Sequence, residues 1–258
     1  MRKDFSIGSL KALKAIEVPD GVSDKYVPIY TSKLVEVLKP EYKFAKGYRF
    51  GSKTSKHFID LVPTDSDKNS NEKIRIYNSF DGSFALRVYF VSENFQYNIV
   101  DNDRVVHVGE KARTISEEDN LKELKESIIN AVPNVRLLKA KLENIPVDLN
   151  SEFTKTIKDV LSGGTLYYFK RQQKDENYVF VNYVDDVAKL AEKNGNPLSI
   201  YAYINLSIKN FIDGNFGFRH TKTNELKGKR AINSPLSKVQ ILNAIAGVLE
   251  EEFVEYMI

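Results

Sequence analysis

Apolar and polar residues alternate with period two between residues 42 and about 108. The segments are short, rich in aromatic or β-branched residues and separated by turn residues: YKFAKGYRF, KHFIDLVP, KIRIYNSF, FALRVYFVS, FQYNIV and RVVHV. Alternation of this kind predicts strands that bury one apolar face. We therefore expect an antiparallel β-meander of about five or six strands in this part of the chain.

Helical periodicity flanks the predicted sheet. The first forty residues predict an arm and one short helix, SKLVEVLK, which Ser32 or Thr31 would cap and Pro40 would end. After residue 115, apolar stripes with a helical period predict a largely helical region. In that region Pro133 would divide NLKELKESIINAV from a following helix, VRLLKAKLENI.

Further helical patterns continue to the end of the chain. They are NSEFTKTIKDVLSGG, NYVDDVAKLAEKNG with Gly195 as its stop, LSIYAYINLSIKNFIDG and SPLSKVQILNAIAGVLEEEFVEYMI. The predicted fold class is α+β, with a meander at about residues 42–108 followed by a helical half packed on or beside it. Residues 1–115 would hold the arm, the short helix and the sheet, and residues 116–258 a helical region in one continuous domain with it.

The segment IRIYNSFDGSFALRVYF predicts a β-hairpin, because an Asp-Gly pair separates two alternating runs. A two-residue loop would pair apolar residues of one strand with polar residues of the other. A three-residue loop, Asp81-Gly82-Ser83, pairs Ile76 with Val88 and brings apolar residues together on one face. We therefore predict the register that the three-residue loop sets.

That register places arginines and tyrosines on the opposite face of the hairpin. Arg75 then lies across from Tyr89, and Tyr77 lies across from Arg87. Such a face suits single-stranded nucleic acid, because arginines contact phosphates and tyrosines stack on unpaired bases, at about 1–3 kcal/mol per base. Two alternatives stay open: a solvated face held by cross-strand cation–π contacts, or a face that the helical half covers.

Two later segments combine basic and aromatic residues. GNFGFRHTKTNELKGKR, residues 214–230, reads as one exposed loop with Phe216 and Phe218. The segment YYFKRQQK adds a smaller cluster. The alternative for the first segment is a solvated loop beside the last helix. The candidate nucleic-acid-binding residues of these two segments are Lys170, Arg171, Arg219, His220, Lys222, Lys227, Lys229 and Arg230.

Composition narrows the function classes. The chain of 258 residues carries 38 basic and 35 acidic residues, a net charge of +3, so only local clusters argue for a polyanion. It has no cysteine and three histidines, which excludes thiol chemistry and disfavours a transition-metal site. We expect no cofactor, no metal and no catalytic residues, and the sequence leans against an enzyme without deciding the question. No apolar run approaches the ~20 residues of a membrane span, so we expect a cytoplasmic protein.

One motif resembles a known family. The stretch YNSFDGSFALRVYF is similar to the Asn-Ser-x-Asp-Gly-Ser-x-Ala-Leu-Arg signature of an uncharacterised phage/plasmid-like protein family, and Arg113-Thr114 could match a basic position that follows the sheet there. The resemblance implies a phage or mobile-element origin, hence the host cytoplasm, and adds Arg113 to the candidate binding residues. A meander followed by helices is also similar in outline to Rad52-like phage single-strand annealing proteins, which is an analogy of architecture alone.

Two hypotheses follow. The first is a phage-type protein that binds single-stranded nucleic acid without catalysis, in annealing or recombination. The second is a protein–protein interaction module, such as a virion component or an inhibitor of host defence. The C-terminal helix, residues 235–258, ends in the apolar segment FVEYMI and is the candidate contact of a homo-oligomer; the alternative is that it packs within the chain.

Overall fold

A computed structural model describes residues 5–17, 29–51, 55–67, 70–80, 86–100, 117–163, 176–228, 232 and 235–253. The chain divides into two compact units, Met1–Glu93 with Tyr97–Val135, and Asn94–Gln96 with Arg136–Ile258. The sequence places a boundary near residue 115, whereas this division falls inside a helix, after Val135. The prediction that both halves form one continuous domain stays a prediction.

The chain forms a six-stranded antiparallel meander, with its first five strands in the first unit, so the predicted α+β class is confirmed. Its strands follow one another in chain order: β1 (Phe5–Ile7), β2 (Tyr42–Arg49), β3 (His57–Pro63), β4 (Glu72–Asn78), β5 (Arg87–Ser92) and β6 (Phe95–Asn98). The arm predicted at the start of the chain is wrong in part, because β1 pairs with β2. The predicted strand RVVHV lies outside the described residues.

Seven helices lie in the described part of the chain: α1 (Leu10–Lys14), α2 (Thr31–Leu38), α3 (Glu117–Leu142), α4 (Glu152–Gly163), α5 (Tyr183–Lys193), α6 (Ile200–Asp213) and α7 (Pro235–Phe253). A small antiparallel sheet accompanies the helices of the second unit, with the order β7 (Tyr178–Asn182), β8 (Phe216–His220) and β9 (Leu226–Gly228). The sequence predicts the helices of the second unit but neither this sheet nor α1. Gly195, at φ 75°, follows α5 as predicted.

Helix α2 begins without the predicted side-chain cap. Tyr30 is its N-cap and Thr31 its first helical residue, and no side chain bonds the free amides there. The hydroxyl of Thr31 instead lies 2.8 Å from Nε2 of His57 on β3. A tertiary hydrogen bond has therefore replaced the local one that the sequence predicts. The helix ends at Leu38, ahead of Pro40, as predicted.

Helix α3 is continuous through Pro133, so the predicted break is wrong. Pro133 is exposed, whereas Val132 and Val135 beside it are buried. A proline has no amide hydrogen to donate to the carbonyl four residues earlier. When the proline lies on the outer side of the helix, that carbonyl can bond water instead. Packing of the inner side outweighs the local preference for a break.

A polar network ties α2 to the sheet beneath the hairpin. The Nδ1–H of His57 donates to the Ser55 carbonyl at 2.5 Å, so its Nε2 accepts from the Thr31 hydroxyl. Asn78 Nδ2 donates to Thr31 Oγ1 at 2.9 Å and to the Ile29 carbonyl at 2.8 Å. Burial lowers the pKa of His57 to about 4; the Ser55 hydrogen bond opposes this in part, and the nearby Arg49 charge adds a smaller lowering effect. The imidazole is therefore neutral at pH 7.

The apolar stripe of α7 packs inside the second unit. Leu242, Ile245 and Leu249 are buried, and the Phe253 ring meets Phe153 of α4 edge-on at 5.3 Å between centroids. Intramolecular packing, the alternative to an oligomer contact, thus takes up the described part of this stripe. Residues 254–258 lie outside the described residues.

Candidate nucleic-acid interface

The strands β4 and β5 pair in the predicted register. Ile74 lies opposite Phe90 and Ile76 opposite Val88, and these residues form the buried inner face. Their neighbours pair as Arg75 with Tyr89 and Tyr77 with Arg87. Because directly paired residues point to the same side of a sheet, all four side chains share one face, as the three-residue loop requires. The loop itself lies outside the described residues.

Pairing across β2 and β3 extends this face, which we call the outer face. Two rows of paired residues cross the strands: Tyr48, Phe58, Tyr77 and Arg87 in one, and Lys46, Asp60, Arg75 and Tyr89 in the other. Phe50 joins the first row, since its ring meets Tyr77 edge-on at 5.4 Å between centroids. The outer face therefore carries more aromatic and basic groups than the hairpin alone provides.

The expectation that all four hairpin groups are open to ligand is wrong for two of them. Arg75 is 6% exposed and Tyr89 is 1% exposed. Arg75 donates through Nε to Asp60 Oδ1 at 2.7 Å and through Nη2 to Oδ2 at 3.0 Å. Arg75 is not open to ligand because its guanidinium forms a buried bidentate ion pair with Asp60 on the adjacent strand.

A charged cluster surrounds that pair. Lys73 Nζ lies 3.6 Å from Asp60 Oδ2, and the Arg75 guanidinium lies 5.0 Å from the centroid of the Phe58 ring. Burial raises the pKa of Asp60, but the charges of Arg75 and Lys73 and the hydrogen bond from Arg75 outweigh it and leave the pKa below its ordinary value. Burial lowers the pKa of Lys73, which Asp60 counteracts in part. The Asp60 carboxylate is thus ionised and engaged within the fold.

Phe58 on the outer face is also buried, but five other groups of this face reach the surface. Lys46 and Arg87 are exposed, and Tyr48, Phe50 and Tyr77 are half-buried. Burial and the neighbouring Tyr89 raise the pKa of Tyr77 to about 12, against the opposing effect of Arg87, so the phenol is neutral at pH 7. Neutral rings between two exposed cations can offer stacking surface and phosphate contacts together.

Positive charge predominates on the outer face. Along the described strands β1 to β5, Asp60 is the only acid that the pairing assigns to it. The cations on the same face are Lys43, Lys46, Lys73, Arg75 and Arg87. The near-neutral charge of the whole chain therefore conceals a local basic surface.

The second predicted cluster has a different structure from the one expected. Residues 216–228 form a hairpin, β8 and β9, rather than a loop, and Phe216 and Phe218 are buried. His220 Nδ1 accepts backbone N–H groups of Lys222 at 3.2 Å and Thr223 at 3.1 Å, which closes the turn. The aromatic half of this candidate site is therefore part of the core: Phe216 stacks on Phe211 of α6 at 4.2 Å, and Phe218 contacts Phe180 of β7 at 5.5 Å between ring centroids.

The basic residues of that hairpin have unequal positions. Arg219 is half-buried and donates through Nη1 to Asn224 Oδ1 at 3.1 Å, and Lys222 is exposed. The Lys227 side chain, together with Lys229 and Arg230, lies outside the described residues. The same holds for Arg113, Lys170 and Arg171. Binding by these residues stays a prediction.

A groove of about 520 Å³ lies elsewhere in the first unit, along α3. Amides and a hydroxyl line it, with the carboxylates of Glu123 and Glu126 and the apolar side chains of Ile99 and Val100. No cation is among its lining residues. The groove therefore does not extend the basic outer face.

Sequence reasoning missed the contribution of β2 and β3 to the outer face. The signals were present: Lys46 and Tyr48 alternate along YKFAKGYRF, and Asp60 is the one acid in the apolar run HFIDLVP. An irregularity between Phe44 and Lys46 shifts the pairing of β2, so alternation alone does not assign its residues to faces. An acid inside a buried strand, opposite a strand with arginine, is the signal that could have exposed the ion pair.

The comparisons with known proteins add no relative. No family model matches the chain, no curated protein is similar to it, and no solved structure matches its fold. Among the described residues, no group of three or more histidines and acids could hold a metal ion. Within the same ranges, no helix has the length and hydropathy to cross a membrane.

Proposed function

We propose that the first unit binds single-stranded nucleic acid on its outer face, without catalysis. One observation carries the proposal: the exposed cations Lys46 and Arg87 lie on the same sheet face as the half-exposed rings of Tyr48, Phe50 and Tyr77. Sheet faces that combine cations with aromatic rings bind phosphates and stack unpaired bases. Arg75 and Tyr89 lie on the same face but are buried, so they pack beside the exposed groups and do not contact the ligand.

The ligand is single-stranded because stacking needs a base whose flat face is open. In a duplex the bases cover one another, and only phosphates and groove edges remain for contact. The outer face offers rings that lie on the strands of the sheet, where the face of an unpaired base can stack. Asp60, its only acid on the described strands β1 to β5, is engaged by Arg75 and Lys73 and adds little repulsion toward phosphate.

A role in annealing or recombination is part of the same proposal. It is supported by the resemblance of NSFDGSFALR to the phage/plasmid-like signature and by the outline of a meander followed by helices. Both the origin and the pathway are proposals that depend on nucleic-acid binding.

The proposal is tested with fluorescently labelled oligonucleotides, single-stranded and duplex, titrated at two salt concentrations. We expect the single strand to bind more tightly than the duplex. Tyr77→Leu keeps apolar bulk but removes a ring, so it should weaken single-strand binding by about 1–3 kcal/mol, roughly 5- to 150-fold in Kd. Arg87→Ala and Lys46→Ala should weaken binding of every sequence alike, because they remove phosphate contacts.

Lys189→Ala is the matched control, since Lys189 is an exposed cation on α5 in the second unit. It should leave the affinity unchanged. Absence of binding at low salt would rule the proposal out. Binding that none of the three outer-face substitutions weakens would show that nucleic acid binds elsewhere on the chain.

A further inference from the structure

Helix α5 ends in a dipeptide that is chemically reactive. Asn194 follows the last helical residue, Lys193, and Gly195 follows Asn194. These two residues form the only Asn-Gly dipeptide in the sequence. Both are exposed, so water reaches the side-chain amide of Asn194 and the peptide bond that joins the two residues.

The reaction open to this dipeptide is deamidation through a succinimide. Glycine has no Cβ, so its backbone nitrogen approaches the preceding side chain with little steric hindrance. The Gly195 nitrogen loses its proton to hydroxide, attacks Cγ of Asn194 and closes the succinimide ring. The bond between Cγ and Nδ2 breaks, and the amide nitrogen takes a proton from water and leaves as ammonia. Water then opens the ring at one of its two carbonyls, which yields aspartate or isoaspartate.

In the folded chain the attacking nitrogen is held in a hydrogen bond. The Gly195 N–H donates to the Glu192 carbonyl at 2.9 Å, and the Asn196 N–H donates to the Ala191 carbonyl at 3.0 Å. Gly195 has a left-handed backbone, φ 75°. Together these features form a Schellman motif, which satisfies carbonyls of the last helical turn. The nitrogen is free to lose its proton and attack Cγ only after its bond to Glu192 has opened.

We propose that Asn194 is a deamidation site of this protein and that the Schellman motif at the end of α5 controls its rate. The reaction proceeds through the molecules in which the last turn of the helix has opened. Helix ends open with free energies far below that of global unfolding. The motif therefore slows the reaction without preventing it.

Deamidation changes the end of α5 in two ways. It replaces a neutral amide with a carboxylate at the C-terminus of the helix, where the helix dipole disfavours negative charge. Isoaspartate also adds one carbon to the backbone, which displaces the Gly195 and Asn196 amides from their carbonyl partners. Beyond this turn, the Leu198 carbonyl accepts the Val147 N–H at 2.8 Å and holds the approach to α6. We therefore expect the modified chain to stay folded.

The test follows the peptide that contains Asn194 by mass spectrometry, in the full chain kept at mildly alkaline pH. One sample is folded, and the other is unfolded in guanidinium chloride. In the unfolded chain we expect Asn194 to deamidate faster than every other asparagine. In the folded chain its rate should be lower by roughly 5- to 150-fold, because opening breaks the two hydrogen bonds of the motif.

Two substitutions at Glu192, an exposed residue in the last turn of α5, test the control by the motif. Glu192→Gly and Glu192→Ala both remove the carboxylate, but glycine weakens the helix end more. In the folded chain, deamidation should be roughly 4- to 5-fold faster in Glu192→Gly than in Glu192→Ala. In the unfolded chain the two variants should react at the same rate. Asn194→Gln is the chemical control, because its longer side chain does not form a succinimide.

Four outcomes would overturn the proposal. They are no product at Asn194 in the unfolded chain, a faster reaction there at another asparagine, equal rates in the folded and unfolded chains, and equal rates in the two folded Glu192 variants. Circular dichroism checks the fold of each variant, and the comparison of the folded with the unfolded wild type needs no variant. None of these outcomes depends on whether the outer face of the first unit binds nucleic acid.

Discussion

His57 is a fully buried imidazole with both ring nitrogens in hydrogen bonds. Nδ1 donates to Ser55, and Nε2 accepts the Thr31 hydroxyl, whose oxygen also receives Asn78 Nδ2. A second proton on the ring would point at an oxygen that already accepts one hydrogen bond, and the Thr31 hydroxyl would lose its acceptor. Protonation of this one residue therefore opposes the folded state of the first unit.

We predict that stability falls as the pH drops from about 6.5 toward about 4, because the pKa of His57 is lowered to about 4 in the folded state. The unfolded chain takes up the proton first, so protonation stabilises the unfolded state over this range and lowers the free energy of unfolding by up to about 3 kcal/mol. Urea unfolding at several pH values measures the effect. In His57→Gln this part of the pH dependence should disappear. An unchanged dependence in the variant would contradict the prediction.

Arg75 shows how one distant residue changes the role of another. The sequence places it correctly opposite Tyr89, yet burial turns it from a ligand contact into half of an ion pair with Asp60. Asp60 is fifteen residues away in the chain. Local alternation predicts which face a residue occupies, but the identity of its neighbour there depends on the pairing of another strand.

At the scale of the element, the three strands at the start of the sheet approach closely at Gly47. A Cβ placed there would lie 2.8 Å from Ile59 Cγ2, 2.9 Å from the Phe58 carbonyl oxygen and 3.3 Å from Ile7 Cβ. We predict that Gly47→Ala destabilises the protein by about 1–3 kcal/mol, because the carbonyl cannot move without disturbing the ladder. Chemical denaturation measures the change.

Gly8→Ala is the matched control for this substitution. A Cβ at Gly8 would meet nothing within 4 Å, so its effect should stay within about 0.5 kcal/mol. If both substitutions proved equally mild, the close approach of β1, β2 and β3 at Gly47 would be disproved.

Helix α3 retains a proline that its own hydrogen-bonding pattern does not favour. Pro133 lacks the amide that would bond the carbonyl of Ile129, and its ring crowds that carbonyl. We predict that Pro133→Ala raises the free energy of unfolding by about 1–3 kcal/mol. Thermal or urea unfolding measures the gain, and Asn134→Ala, at the exposed neighbouring position, should raise it by less than about 0.7 kcal/mol. A loss of stability in Pro133→Ala would mean that α3 needs the proline.

At the scale of the whole molecule, charge decides how binding should respond to salt. The net charge is only +3, so long-range attraction of a polyanion is weak and local cations must act. With Lys46 and Arg87 as the phosphate contacts, the slope of log K against log salt should be about −1.4 for a single strand. Titration at four or more salt concentrations measures the slope.

Arg87→Ala should make that slope shallower by about 0.7, whereas Lys189→Ala should not change it. A wild-type slope steeper than about −3 would contradict a two-cation site. It would show that further basic residues, such as Arg113 or Lys170, bind the backbone as well.

The sequence by itself determined the strands β2 to β6 and most of the helices, with their order. Alternation predicted β2 to β6 and the register of β4 with β5, and glycine and proline correctly marked where α5 and α2 end. These features depend on residues that are close in the chain, and short-range sterics and the burial of one apolar face are enough to set them.

Only the tertiary structure decided which polar groups are accessible. In the folded chain Arg75 pairs with Asp60, and the Thr31 hydroxyl bonds His57 instead of capping a helix. Phe216 and Phe218 are buried on one side of a hairpin whose sequence predicts a loop. Each of these outcomes depends on a partner that is distant in the sequence. The free energy of a buried group is set by that partner, and periodicity along one strand carries no information about it.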